Sequence, residues 1–244
     1  MKNTLVYLFF ILFLMSGIAF SQIYVKAGGG YNLDFNSMEF GSNTTSSGTG
    51  TTSYEAVYGS LGKGANFAAA FGYNLTSNLG LELGIMYKLS TDFDIRYQSG
   101  TSVSTNTWSG SFFAFAPTIV VNAPTRNLKP FVKFGLLVAI PSADIEAVSS
   151  TGITSKATFN DGIDFGLTGG AGVQIPINPK IYFVAEVDFV SLTWKPSELE
   201  ASSGTQTLTY KLKDDYNSSD PYTQGPVFVP FSSVGVNVGV LVGI

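Results

Sequence analysis

The sequence predicts an all-β fold, an antiparallel up-and-down transmembrane β-barrel of eight strands, with ten as the alternative count. Three observations carry this. The last eleven residues, Val234 to Ile244, read V-G-V-N-V-G-V-L-V-G-I, with Val or Ile at every even position and small or uncharged residues at almost all the others. Strict two-residue alternation marks a strand, and its length matches the roughly 9–11 residues of a tilted strand crossing a bilayer. Charged residues are only 12% of the chain, about half the soluble average of roughly 25%, and mean hydropathy is +0.24. Beyond the N-terminal segment no stretch is apolar over the ~20 residues that a membrane helix needs. Apolar character spread over alternating segments is the compositional pattern of a barrel.

Lys2, the apolar run Leu5 to Met15 and the small-x-small sequence Ala19-Phe20-Ser21 read as a signal peptide with cleavage before Gln22. A retained anchor is the alternative, and the run is short for a span. Residues 1–21 are therefore set aside, and 22–244 are read as one barrel domain, exported to the outer membrane of a Gram-negative cell.

Eight alternating segments follow: Tyr24–Phe35, Ala65–Leu75, Leu79–Leu89, Phe112–Asn122, Phe131–Ile140, Ile163–Ile177, Ile181–Trp194 and Phe231–Ile244. Tight turns fall at Thr76–Asn78, Pro124–Asn127 and Asn178–Lys180, each with the Asn, Pro or Ser of a tight reversal. Between them lie long polar connections near residues 36–64, 90–107, 141–160 and 195–226. Short turns on one side and long loops on the other is the asymmetry of outer-membrane barrels. The Ser/Thr/Gly tract Gly41 to Ser53 cannot bury a core. Phe93–Tyr97 and Thr207–Lys213 still alternate, so strands are expected to continue past the membrane, and the latter is the source of the ten-strand count. Near Pro230 the apolar phase moves from odd (Val227, Val229, Phe231) to even positions, for which a β-bulge at Ser232–Ser233 is expected.

Charge density decides which face meets lipid. Leu81, Leu83, Ile85 and Tyr87 oppose Gly80, Glu82, Gly84, Met86 and Lys88; Ile181, Phe183, Val187 and Phe189 oppose Tyr182, Glu186 and Asp188. A soluble barrel would put far more Lys, Glu and Asp on the second face. The apolar face is therefore assigned to lipid, and the second face to an interior just wide enough for side chains to fill. The expected lumen charges are Lys26, Lys88 and Lys133 against Glu82, Asp164, Glu186 and Asp188. Lys26 and Lys133 are expected to face Glu82 and Glu186, because an unpartnered buried ion costs several kcal/mol. Such a network reads either as a salt-bridged plug or as a gate along an ion path, and the plug is favoured. Tyr24, Tyr31, Tyr73, Tyr87, Tyr182 and Trp194 sit near segment ends and are read as interfacial girdles.

The chain has no cysteine and no histidine. That removes thiol chemistry, disulfides, Cys-type zinc sites and the usual general base. Net charge is −4, which argues against nucleic acid as a partner. The Asp214–Asp215 pair and the loop acids Asp92, Asp94, Asp144, Glu146 and Asp161 lack calcium-loop spacing and read as solvated surface. No cofactor is implied, and no enzyme is expected.

With its signal peptide, its first-strand pattern V-K-A-G-G-G-Y-N-L, its turn and loop asymmetry and its terminal strand, the chain resembles the small outer-membrane β-barrels. That family includes the opacity proteins, outer-membrane protein X and the transmembrane domain of outer-membrane protein A. The resemblance spans residues 22–244 and implies a lumen network of Lys or Arg with Glu, for which Lys26, Glu82, Lys133 and Glu186 are the matching positions. Ile244 stands where the family usually ends on an aromatic, and no peptidoglycan-binding domain is expected after it. The expected role is structural, adhesive or surface-interacting, carried by four extracellular loops, with a narrow ion or small-solute channel as the alternative. Expected partners are outer-membrane lipid and an extracellular partner that the sequence does not identify, with the protein as a monomer.

Overall fold

The computed structural model describes residues 23–35, 37–46, 52–123, 128–150, 152, 154–216 and 220–244. The proposed signal peptide and the turn Pro124–Asn127 lie outside the described residues. The strands are β1 (Ile23–Asp34), β2 (Met38–Ser46), β3 (Thr52–Gly59), β4 (Gly64–Asn74), β5 (Leu79–Ser90), β6 (Phe93–Ser99), β7 (Ser102–Asn122), β8 (Lys129–Ser149), β9 (Thr154–Asn160), β10 (Asp164–Pro176), β11 (Ile181–Ser191), β12 (Thr193–Trp194), β13 (Glu198–Ser203), β14 (Gln206–Leu212), β15 (Thr223–Gln224), β16 (Val229–Pro230) and β17 (Ser233–Gly243).

Eight of them close a ring in the order β1-β4-β5-β7-β8-β10-β11-β17, and β17 returns to β1 with Tyr24 opposite Gly243 and Asp34 opposite Ser233. Every pairing in the ring is antiparallel. Closure leaves no strand edge facing hydrocarbon. The hairpin that suggested ten strands, β13–β14, lies outside the ring. Short turns are fixed by their own side chains: Thr76 Oγ1 accepts the Leu79 N–H at 3.0 Å, and Asn178 Oδ1 accepts the Ile181 N–H at 2.8 Å.

The outward faces are apolar. Leu81, Leu83 and Ile85 on β5 and Val236, Val238 and Val240 on β17 are exposed, while their sequence neighbours Glu82 and Asn237 are buried. No charged residue occupies an outward position between Phe113 and Val121 on β7 or Val132 and Ile140 on β8. From Leu79 to Leu89 is ten residue steps; at ~3.3 Å per residue and ~40° of tilt the band is roughly 25 Å tall. That is the height of a membrane-spanning apolar belt.

The seam between first and last strands needs glycine on its inner side. A Cβ on Gly30 would fall on the Val236 carbonyl oxygen and the Asn237 side chain. Gly30→Val is therefore expected to prevent closure, seen on a gel as loss of the compact, heat-modifiable form. The same variant migrating as folded barrel would show that the seam tolerates a side chain.

At one end β7 and β8 run on, each 21 residues long against the 13 of β10. Above the belt they carry a second sheet, β15-β14-β13-β9-β8-β7-β6-β2-β3. It is antiparallel apart from the β2–β6 and β14–β15 pairs. The long polar connections are therefore largely built into strands.

No bulge occurs at Ser232–Ser233. Val190 pairs with Ser233 and Thr193 with Pro230, which is one unbroken register on both sides of Ser232. Odd residues face inward throughout. What changes is the filling: Gly235 and Asn237 meet a polar interior, whereas Val229 and Phe231 meet an apolar one.

Candidate functional site

The interior is stacked in layers, because successive inward residues on each strand lie two positions apart. At the short-turn end Tyr24, Val120, Phe131, Val184 and Leu241 form an apolar layer with Tyr182 packed against it. Lys129 closes the rim, donating to the Tyr182 hydroxyl at 2.9 Å.

Above this layer lies a chain of ions. Lys26 Nζ is 2.9 Å from Glu82 Oε1 and 3.5 Å from Glu186 Oε2, and Lys133 Nζ is 2.8 Å from Glu186 Oε1. The Tyr24 hydroxyl donates to the other Glu82 oxygen at 3.2 Å. Small neighbours make room: Ala70 and Gly72 on β4, Gly170 and Gly172 on β10 and Gly239 on β17 all face inward. A cavity of about 20 Å³ beside Lys26, Glu186 and Asn237 has room for a single water.

The next layer is polar and mostly uncharged. Asn32 accepts from Asn66, Asn237 donates to Asp188 at 2.7 Å, and the fully buried Lys88 donates to Ser233. Lys88 Nζ also lies 5.8 Å from the centre of the Phe112 ring. The six charges of these two layers thus balance: Lys26, Lys88 and Lys133 against Glu82, Glu186 and Asp188. Asn32, Asn66 and Ser233 complete this layer without any charge to signal them in the sequence.

Asp164 does not join the network. It sits at the long-loop end of β10, where its carboxylate accepts the backbone N–H groups of Phe165 and Lys195 at 2.7 and 3.1 Å. Three expected girdle aromatics also turn inward. Tyr24 and Tyr182 belong to the lower apolar layer, and Trp194 is fully buried above the membrane. Tyr31 and Tyr87 do face outward.

A larger apolar core seals the long-loop end. Leu61, Phe112, Leu137, Phe159, Leu192, Trp194, Val229 and Phe231 are all buried in it. Phe40, Phe93, Trp108 and Phe159 extend it as an aromatic cluster, with Trp108 stacked on Phe159 at 5.9 Å. The first long connection supplies its own lid: the Leu61 N–H donates to the Pro230 carbonyl at 2.9 Å, and the Ser60 hydroxyl to the Ser232 carbonyl at 2.9 Å. Two apolar layers thus bracket the lumen, with the paired ions between them. Among the described residues no group of three or more His, Cys, Asp or Glu side chains could hold a metal.

A closed ring of eight antiparallel strands, apolar outside and ion-paired inside, defines a small transmembrane β-barrel. Residues 8–212 match the family model described as the outer membrane protein beta-barrel domain, and the chain belongs to that family. Among solved structures it is similar to Neisserial surface protein A at 13% identity, covering 92% of this chain and 98% of that one, with a TM-score of 0.46. It is also similar to OprG from Pseudomonas aeruginosa (11%, 94% and 98%, TM-score 0.47). A third is Ail, the attachment invasion locus protein of Yersinia pestis (10%, 92% and 99%, TM-score 0.38). No curated protein matches the chain.

Proposed function

We propose that the protein is a non-enzymatic, non-conducting outer-membrane barrel that presents its long-loop sheet to the outside as an interaction surface. One observation carries this reading. The two longest strands continue through the membrane into a sheet of nine strands, standing on a lumen filled from end to end. A pore needs an aqueous path, and this interior spends its volume on side chains instead. A rigid sheet above the belt is the opposite investment: exposed strands, ordered without closing into a second barrel. The absence of His and Cys leaves no general base or thiol of the usual kind to act from it.

The experiment is topological. An epitope inserted at the exposed Gly204–Thr205 turn between β13 and β14 is expected to bind antibody on intact cells, with the protein in the outer-membrane fraction. Labelling only after the outer membrane is permeabilised would overturn the orientation and with it the proposed role.

A further inference from the structure

The extracellular sheet sorts its charges to one side. On β6, β8, β9, β13 and β14 the residues Asp94, Arg96, Asp144, Glu146, Lys156, Glu198, Glu200 and Lys211 all alternate onto the outer face. The inner face, continuous with the lumen face of β7 and β8, carries none of them. Lys156 is held on the outer side by Asp144 at 3.3 Å. Random placement in water would scatter charges over both faces, so the segregation needs a cause.

On that uncharged face lies a cavity of about 440 Å³. Its floor is one cross-strand row, Ile145-Ala157-Ala201-Leu208, made shallow by the two alanines. The next row outward is Asn106-Ala147-Ser155-Ser203-Gln206, each residue directly opposite the next. Five strands at about 4.8 Å spacing make this row roughly 19 Å long. Among the described residues, none of its four polar side chains has a hydrogen-bond partner. Tyr210 adds a flat ring with a hydroxyl at one end.

We propose that this trough binds a neutral oligosaccharide. Amides and hydroxyls in a line offer paired donors and acceptors to sugar hydroxyls, the small floor admits a bulky chain, and Tyr210 offers a surface for the apolar face of a pyranose. Complementarity of charge excludes the nearest competitors. A sulfated or sialylated glycan would need a cation turned into the trough, and the one Lys at its lining, Lys156, has its ammonium engaged by Asp144 on the outer side. A peptide strand would add along a sheet edge, where backbone groups are free, whereas the trough lies on a face whose backbone is already paired. The inference rests on the proposed outward orientation of the sheet.

The test uses the full barrel refolded into phosphocholine nanodiscs, free of sugar-headed detergent. It is probed with a glycan array holding neutral hexasaccharides beside a heparin hexasaccharide. Neutral glycans are expected to bind and heparin not. Asn106→Ala and Gln206→Ala are each expected to weaken binding about tenfold, the worth of one well-made hydrogen bond. Ala157→Trp, which fills the floor, is expected to abolish it, while Thr209→Ala on the outer face leaves it unchanged. Each variant is first shown to be folded by heat-modifiable mobility. An array with no neutral binder, a preference for heparin, or binding that survives Ala157→Trp would overturn the proposal. Any of these could occur with the epitope still surface-exposed, so failure here is distinct from failure of the orientation.

Discussion

Glu186→Ala is expected to cost about 3–5 kcal/mol of unfolding free energy, because it strands buried charge in a low-dielectric interior. Glu186 is the hub of the lumen: one oxygen meets Lys133 at 2.8 Å and the other meets Lys26 at 3.5 Å. Removing it leaves Lys133 without an ion-pair partner and Lys26 with Glu82 alone. The informative comparison is the double variant Glu186→Leu with Lys133→Met. It removes both charges of one pair, keeps Lys26 beside Glu82, and fills the space with apolar atoms. Replacing a whole buried pair in this way is often neutral, so the double variant is expected to be more stable than Glu186→Ala. Unfolding in urea, followed by loss of the fast-migrating folded band, measures both. Equal losses would mean that Glu186 acts through packing rather than through charge.

Phe231→Ala is expected to cost a similar amount, about 3–5 kcal/mol, by opening a cavity in the upper core. Its ring is fully buried, edge-on to Phe112 at 5.6 Å and tilted against Trp194 at 6.3 Å. Its backbone N–H is bonded to the Leu192 carbonyl at 2.9 Å, which limits how far the chain can collapse into the void. The control is three residues away. Phe228 is half exposed, and Phe228→Ala is expected to change stability by less than about 1 kcal/mol. Equal effects at the two positions would show that the upper core is not packed as described. Neither variant is expected to create a conducting path, since the ion layer and the lower apolar layer remain.

The ring was legible because each of its strands has a lipid face, and lipid accepts no charge. Alternation of Leu81, Leu83 and Ile85 with Gly80, Glu82 and Gly84 sets both the strand and its orientation. Lys26, Glu82, Lys133 and Glu186 were legible as partners for the same reason: few charges are available, and each must be compensated. Asp164 was misplaced because alternation gives the face and not the height. It lies on the inward face but at the far end of β10, level with Ala139 and away from the ion layer, where backbone N–H groups serve it. Trp194 and Tyr24 were misread as girdle residues on position along the segment, although their even parity already aligned them with Glu186 and Lys26.

The phase change at Pro230 misled for a deeper reason. A bulge was expected because apolar residues were assumed to face one way along the whole strand. Inside the membrane they face out, and above it Val229 and Phe231 face in, as in a soluble core. The solvent reverses and the register does not. Asn32, Asn66 and Ser233 escaped notice because uncharged polar residues on an inward face look the same in sequence whether they bond to one another or to water. The trough was equally hidden, since its rows join residues from strands far apart in the chain.

The central claim is that the lumen is closed, and the most direct measurement is a current trace of the refolded protein in a planar bilayer. A silent membrane under applied voltage, with insertion confirmed by protection from protease, is the result this structure predicts. Stepwise openings that change when Glu82 is replaced by Gln or Lys133 by Met would contradict it and make the ion layer a gate.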